Sequence, residues 1–203
     1  MGGKTDAWRS PALPAARSGD GEPIPQLESH TCGLLSLSAA YALYSLSPEE
    51  KNLRYRLGVD VPASPIDSTS TGTLHPDLLR VLVQDGFACS MPAVAAGGRE
   101  ALMAHLQGGD AALLLIRRRE TGGLHWVLCD AIEGGNLRIV DSLQPEPTVE
   151  PLDAYLAECV LSIILIRPAE SGAEPDIHQA HREGAAEMIR VKQRLDELES
   201  PRR

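Results

Sequence analysis

Aromatic side chains are scarce in this 203-residue chain, which holds two Trp, four Tyr and one Phe. Positive charge is also short: 19 Lys and Arg stand against 28 Asp and Glu, a formal charge of −9. Phosphate neutralisation needs clustered cations and base recognition favours aromatic faces, so nucleic acid is not expected as a partner. No apolar run approaches the length of a bilayer span, and Met1 to Arg17 lacks the apolar centre of a secretory signal. Asp6 stands where a Met-Gly start would need Ser or Thr for myristoylation. The expectation is a soluble chain without membrane contact, acting in the cytoplasm unless a non-classical route exports it. Cysteine pairs are missing too. Cys32, Cys89, Cys129 and Cys159 are widely spaced, with neither a CxxC motif nor the density of a disulfide scaffold, which fits a reducing compartment.

What is present is one domain of ordinary size with extra chain at both ends. Residues 1–25 are rich in Gly, Pro, Ser, Ala and charge, with too little apolar surface to repay ordering, and read as a flexible arm. Residues 26–168 form the compact part, 169–175 a linker, and 176–203 a C-terminal helix. In that helix Gly184, Met188, Val191, Leu195 and Leu198 recur at spacings of 4 and 3, a stripe suited to docking on its own domain and alternatively to self-association or a partner. Within the compact part, Cys32 to Tyr44 is apolar on nearly every helical face and is expected to be a buried helix. Ser47-Pro48-Glu49-Glu50 has the form of a capping box opening a second helix. Amphipathic helices are predicted over His75–Gln84 and Arg99–Gln107. Strands are predicted over Ala111–Ile116, Leu124–Ile132, Leu137–Asp141 and Val160–Ile166. Helices first and strands second is an α+β order with one antiparallel sheet.

Three places combine into a chemical proposition. Cys32 opens the buried helix, where the macrodipole and free N–H groups favour thiolate over thiol, and Gln26 precedes it by six residues. The Cys32 N–H and the Gln26 amide together suit an oxyanion hole. His125 follows Gly122-Gly123 on a predicted strand, placed to take the Cys32 proton, and Asp141 closes the next strand, placed to orient the imidazole. Strand parity sets a condition on this triad. A regular two-residue Gly134-Gly135 hairpin would put Asp141 on the opposite face from His125. An odd residue is therefore required, for example a three-residue loop with a glycine bulge at Gly134 to Asn136.

In this order, Gln26…Cys32-Gly33, His125-Trp126-Val127 and Asp141, the chain resembles the papain-like clan and within it the C39 peptidases, the type that processes bacteriocin precursors. The resemblance spans about Gln26 to Arg167 and includes Gly72 to Arg80 and Asp85-Gly86-Phe87 as a middle helix. It implies a papain-like cysteine protease fold, with Cys32 as nucleophile, His125 as base, Asp141 as orienter, Gln26 as oxyanion donor and a peptide or protein substrate. The expected function is cleavage of a peptide or amide bond through a thioester acyl-enzyme, with no cofactor and no metal. No membrane-spanning or ATPase region accompanies these motifs, so a transporter-borne peptidase is not expected. The segment Gln26 to Leu37 also resembles phytochelatin synthase, which keeps acyl transfer or glutamine deamidation as an alternative; a non-enzymatic papain-like binding module is a third.

Other polar residues have plainer readings. His30 is expected to be exposed or substrate-facing, His75 to start a helix and His105 to lie on a helix surface. His178 and His181, one turn apart without further ligands, read as a solvated helix face. Cys89, Cys129 and Cys159 read as core. Arg117 to Glu120 reads as a solvated loop, with a site for an acidic substrate group as its alternative. Asp67 to Thr73 reads as a connector that can border a cleft. Acidic and basic residues balance from Asp176 onward, so the −9 resides before Asp176; charge steering then favours neutral or basic peptides at the cleft.

Overall fold

A computed structural model describes residues 30–47, 51–59, 72–172 and 174–199. Gln26, residues 1–29, the Pro48 to Glu50 part of the capping box, and Asp67 to Thr71 lie outside the described residues. In chain order the elements are α1 (Cys32–Leu43), α2 (Leu53–Arg56), α3 (His75–Gln84), β1 (Phe87–Ser90), α4 (Gly98–Gln107), β2 (Ala111–Arg117), β3 (Leu124–Glu133), β4 (Asn136–Val140), β5 (Thr148–Pro151), α5 (Leu152–Glu158), β6 (Val160–Pro168) and α6 (Ile177–Glu199). The strands make one sheet in the order β1-β6-β2-β3-β4-β5, with every neighbouring pair antiparallel.

The apolar runs explain the layering. In β2, Ala111, Leu113 and Leu115 join a cluster with α1, α2, α3 and α6, whereas Ala112, Leu114 and Ile116 join one with α4 and α5. A strand buried on both faces reads as a continuous apolar run rather than an alternation. The sheet is thus sandwiched between helices, an α+β arrangement with α1 lying against β3. Small side chains on α1, among them Gly33, Ser36, Ala39 and Ala40, let the helix come close, and Ser36 Oγ donates to the Trp126 carbonyl at 2.9 Å.

Three short elements depart from the predicted helix-then-strand order. β1 falls between α3 and α4, and β5 and α5 fall between β4 and β6. β1 and β5 are four-residue edge strands, and β5 ends in Pro151 and exposes Val149, so neither carries the apolar run that marks an inner strand. α2 is a single turn at Leu53–Arg56. His105 is no simple surface residue: its Nε2 lies 3.1 Å from the Ala111 carbonyl and 2.9 Å from that of Ile166, tying α4 to the ends of β2 and β6. Cys129 and Cys159 are buried, whereas Cys89 on the edge strand is only half-buried.

The C-terminal helix docks on its own chain, against α3 and β6. Its buried positions are Ala180, Gly184, Glu187 and Val191; Met188, which the apolar spacing selected, is 37% exposed. A carboxylate takes the inward position because it finds partners there. Glu187 is 2% exposed, and its Oε1 accepts a 2.6 Å hydrogen bond from Ser162 Oγ of β6 while Arg190 Nε donates to Oε2 at 2.5 Å. Gly184 lies against the His75-Pro76 backbone, where a Cβ would sit 2.6 Å from Pro76 N.

Asp85, just after α3, holds the helical layer together. Its buried carboxylate accepts from Tyr41 Oη at 2.5 Å and from Arg56 Nη1 at 2.8 and 3.0 Å. Removing one member of such a buried cluster strands the others without partners. Asp85→Ala should therefore lower stability by about 3 kcal/mol. Tyr41→Phe should cost about 1 kcal/mol, since it removes one hydrogen bond and keeps the ring. Urea unfolding midpoints check both, and equal midpoints for Asp85→Ala and the parent chain would contradict this role.

Candidate active site

The site is built where the start of α1 meets the start of β3 and the end of β4. Cys32 is the first residue of α1 and His125 the second of β3; Asp141 directly follows β4. His125 Nε2 lies 2.7 Å from Asp141 Oδ1, which leaves Nδ1 as the nitrogen that serves the hydrogen bond between His125 and Cys32. Asp141 is itself held, because its Oδ1 also accepts the Leu143 N–H at 2.8 Å. The Cys32 sulfur takes further hydrogen bonds from the backbone N–H groups of Trp126 and Gly33.

The parity condition is met by a device other than the one expected. Gly134 and Gly135, at φ of +58° and +82°, form a two-residue turn that pairs Glu133 with Asn136, so the turn carries no extra residue. The odd residue is Asp130 inside β3: Ala131 faces Arg138, the register then shifts, and Cys129 faces Ile139. Continuing that register sets Asp141 opposite Val127, on the same face as His125. The side chains explain the bulge. A regular pairing would put Asp130 opposite Ile139 in the layer facing α4 and α5. With the bulge, Val127, Cys129 and Ile132 all keep that apolar face. Asp130 turns instead to Arg138, whose Nη1 lies 3.0 Å from its Oδ2.

Electrostatics follow the hydrogen bonds. Burial works against a charge on His125, but its hydrogen bonds with Asp141 and Cys32 outweigh that and push the imidazole up to about 9. Burial likewise opposes a thiolate, yet the hydrogen bonds from His125 and the Trp126 N–H hold Cys32 below the ordinary thiol range. Asp141 pays for burial as well and is still held below the usual carboxylate range, by His125, by the Leu143 N–H and, more weakly, by the charge of Arg118. Burial drives Cys89 and Cys129 the other way, far up. Both shifts run toward an ion pair, Cys32 toward thiolate and His125 toward imidazolium.

Several contributors escape a motif-based reading. Trp126 supplies an N–H to the sulfur and a carbonyl to Ser36, and its indole Nε1 donates to the Thr73 carbonyl at 3.0 Å. His75 is buried and stacks edge-on against that indole, with ring centroids 4.8 Å apart. Gly33 is required sterically, since a Cβ there would lie 2.5 Å from Thr73 Cβ. The aromatic residue beside His125 was the available signal for this hub. His30 is half-buried next to Gly72, and His178 and His181 are exposed on α6.

The fold is that of C39 peptidase domains, a papain-like α+β type. No protein-family model and no curated protein sequence matches the chain. Among solved structures, the peptidase domain of Streptococcus ComA, a bifunctional ABC transporter involved in quorum sensing, aligns with a TM-score of 0.53 at 16% identity, covering 71% of this chain and 96% of that domain. A double glycine motif protease from an AMS/PCAT transporter, solved with its leader peptide, aligns with a TM-score of 0.51 at 18% identity, covering 72% of this chain and 90% of that one. At these identities the likeness is one of fold. Among the described residues no helix is long and apolar enough to cross a membrane.

The electrostatics give a pH signature. Alkylation of Cys32 by iodoacetamide should rise with an inflection below the ordinary thiol range. The imidazolium that stabilises the thiolate should be lost as pH climbs through about 9. In His125→Ala the inflection should move up toward or into the ordinary thiol range, because burial is then opposed only by the N–H groups of Trp126 and Gly33. Rate against pH, followed by mass spectrometry of the Cys32 peptide, checks the sign; an unmoved inflection in the variant would contradict the pairing.

Proposed function

We propose that the chain is a cysteine peptidase or amidase that cleaves a peptide or amide bond, with Cys32, His125 and Asp141 as its triad. The observation that carries this reading is His125 bridging Cys32 and Asp141, with its Nε2 2.7 Å from the carboxylate. The Cys32 thiolate attacks the carbonyl carbon. The resulting oxyanion is held by the Cys32 N–H and by Gln26, the amide assigned to that role from the sequence. Protonated His125 gives its proton to the departing amine, leaving a thioester on Cys32. Neutral His125 then takes a proton from water, the hydroxide adds to the thioester, and collapse releases the acid and restores the Cys32 thiolate beside protonated His125. Asp141 keeps the imidazole in the tautomer and orientation that both steps need. A peptide substrate fits this chemistry, and a neighbour in fold is known with a leader peptide bound. The same acyl-enzyme would serve an amine acceptor in place of water.

Three substitutions test the reading. Cys32→Ala should abolish peptide cleavage. His125→Ala should remove at least about 10³-fold of the rate, and Asp141→Asn about 10²-fold or more, by analogy with the general acid–base and tautomer effects of other triads. Trapping by an iodoacetamide probe at mildly acidic pH should strike Cys32 ahead of Cys89, Cys129 and Cys159. Equal labelling of all four cysteines, with no effect of His125→Ala, would sink the proposal.

A further inference from the structure

The last residue of β2 and the loop that follows carry three consecutive arginines near His125, and the structure gives them different employment. Arg117 Nε lies 3.8 Å from Glu199 of α6. Arg119 reaches Glu150 of β5 at 3.2 Å and Glu158 of α5 at 3.5 Å, and its guanidinium sits 5.8 Å from the Tyr155 ring centroid. Among the described residues, the Arg118 ion pair is with a neighbour within its own loop, Glu120 at 3.8 Å, an exposed carboxylate two residues away.

The position of Arg118 is set by the ladder. Ile116 pairs with His125 and Arg117 with Leu124, and the Arg118 N–H donates to the Gly123 carbonyl at 2.9 Å, extending the same register by one. Residues two apart on a strand share a face, so Arg118 follows Ile116 onto the face of His125. Its guanidinium is close enough to Asp141 to help keep that carboxylate ionised. Leu124, beside His125, and Leu143, whose N–H bonds Asp141, are both exposed at this corner.

On a chain of charge −9, long-range attraction favours neutral or basic peptides. Discrimination in favour of a carboxylate must then come from a cation at the site itself. We propose that Arg118 is a specificity-determining residue that binds a carboxylate of the substrate close to the scissile bond, so that the preferred substrates carry an acidic group beside the bond that is cut. This rests on the peptidase reading of Cys32, His125 and Asp141. Arginine suits the task because its planar fork presents paired N–H donors to a carboxylate.

The test uses the full chain and acetyl-tripeptide aldehydes, which add reversibly to the Cys32 thiolate as hemithioacetals. Glu is scanned through the three positions, each peptide measured against its Gln twin. At one position Glu should be bound about tenfold more tightly than Gln, the scale expected of one charge pair at a partly exposed site. The ratio should fall to near one in Arg118→Gln and persist in Arg118→Lys. Because the Glu-to-Gln ratio is internal to each variant, a general loss of reactivity cancels. Raising the salt concentration should shrink the ratio in the unmodified chain, a measurement that does not depend on any variant folding. Iodoacetamide labelling of the parent chain separates the two possible failures. If Cys32 is not favoured among the cysteines, the peptidase reading fails and this proposal with it. If Cys32 is favoured but no position prefers Glu, or the preference survives in Arg118→Gln or is indifferent to salt, Arg118 is not a carboxylate site.

Discussion

One extra residue in one strand decides whether the candidate site exists. Side chains alternate along β3 and β4, so His125 and Asp141 can meet only if the hairpin between them carries an odd number of surplus residues. Asp130 is that residue. Its placement is not imposed by the turn, which is a tight Gly134-Gly135 pair with no freedom to add one. It is imposed by burial. A regular ladder would push the Asp130 carboxylate into the layer that Cys129, Leu137 and Ile139 fill, whereas the bulge gives it Arg138 as a partner. Desolvation of a charge without a partner costs several kcal/mol, more than the ladder hydrogen bonds lost at a bulge. The energetics of the far end of the hairpin thus fix the geometry at the near end.

The second dependence runs through Trp126. Its backbone N–H reaches the Cys32 sulfur, its carbonyl receives Ser36, and its indole meets Thr73 and His75. Those contacts join α1, β3 and the start of α3 within one packed corner. Gly33 and Gly184 allow the close approach on either side of that corner: Gly33 lies against Thr73, and Gly184 of α6 lies against His75 and Pro76. The C-terminal helix is therefore packed into the layer that carries α1. Its inward carboxylate, Glu187, gains specificity of register at the expense of burying a charge, and Ser162 and Arg190 make that tolerable.

Legibility in the sequence followed the size of the signal. α1, α3, α4 and α6 were readable because each has at least ten residues of consistent pattern, and β2, β3, β4 and β6 because their apolar runs have strand length. β1, β5 and α5 were not. They are short, and the two strands sit at sheet edges where one side needs no apolar pairing partner. On α6 the apolar spacing selected Met188, while the structure buries Glu187, because periodicity is blind to a carboxylate whose partners come from β6. At the site, the order Cys32, His125, Asp141 was legible from residue types. The need for an odd residue is legible from parity; a loop bulge is one way to supply it, and the structure supplies it inside β3 instead. The clue was in β3 itself, where the apolar residues Val127, Cys129 and Ile132 are spaced by two and then by three.

The arginine loop shows why a charge run that looks solvated is not idle. Arg117 draws the end of β2 toward α6, and Arg119 draws the loop toward β5 and α5, so the segment that delivers Gly122, Gly123 and His125 is held from both layers of the sandwich. Each of these pairs is partly exposed and individually worth no more than about 1 kcal/mol, with salt weakening it further. The His125–Asp141 contact is different in kind. His125 is only 4% exposed, and the contact is far less open to screening by ions. Loop anchoring is thus the salt-sensitive part of the site and the imidazole–carboxylate pair the salt-resistant part. Between the two anchored arginines, Arg118 brings its charge to bear on Asp141 of the candidate site.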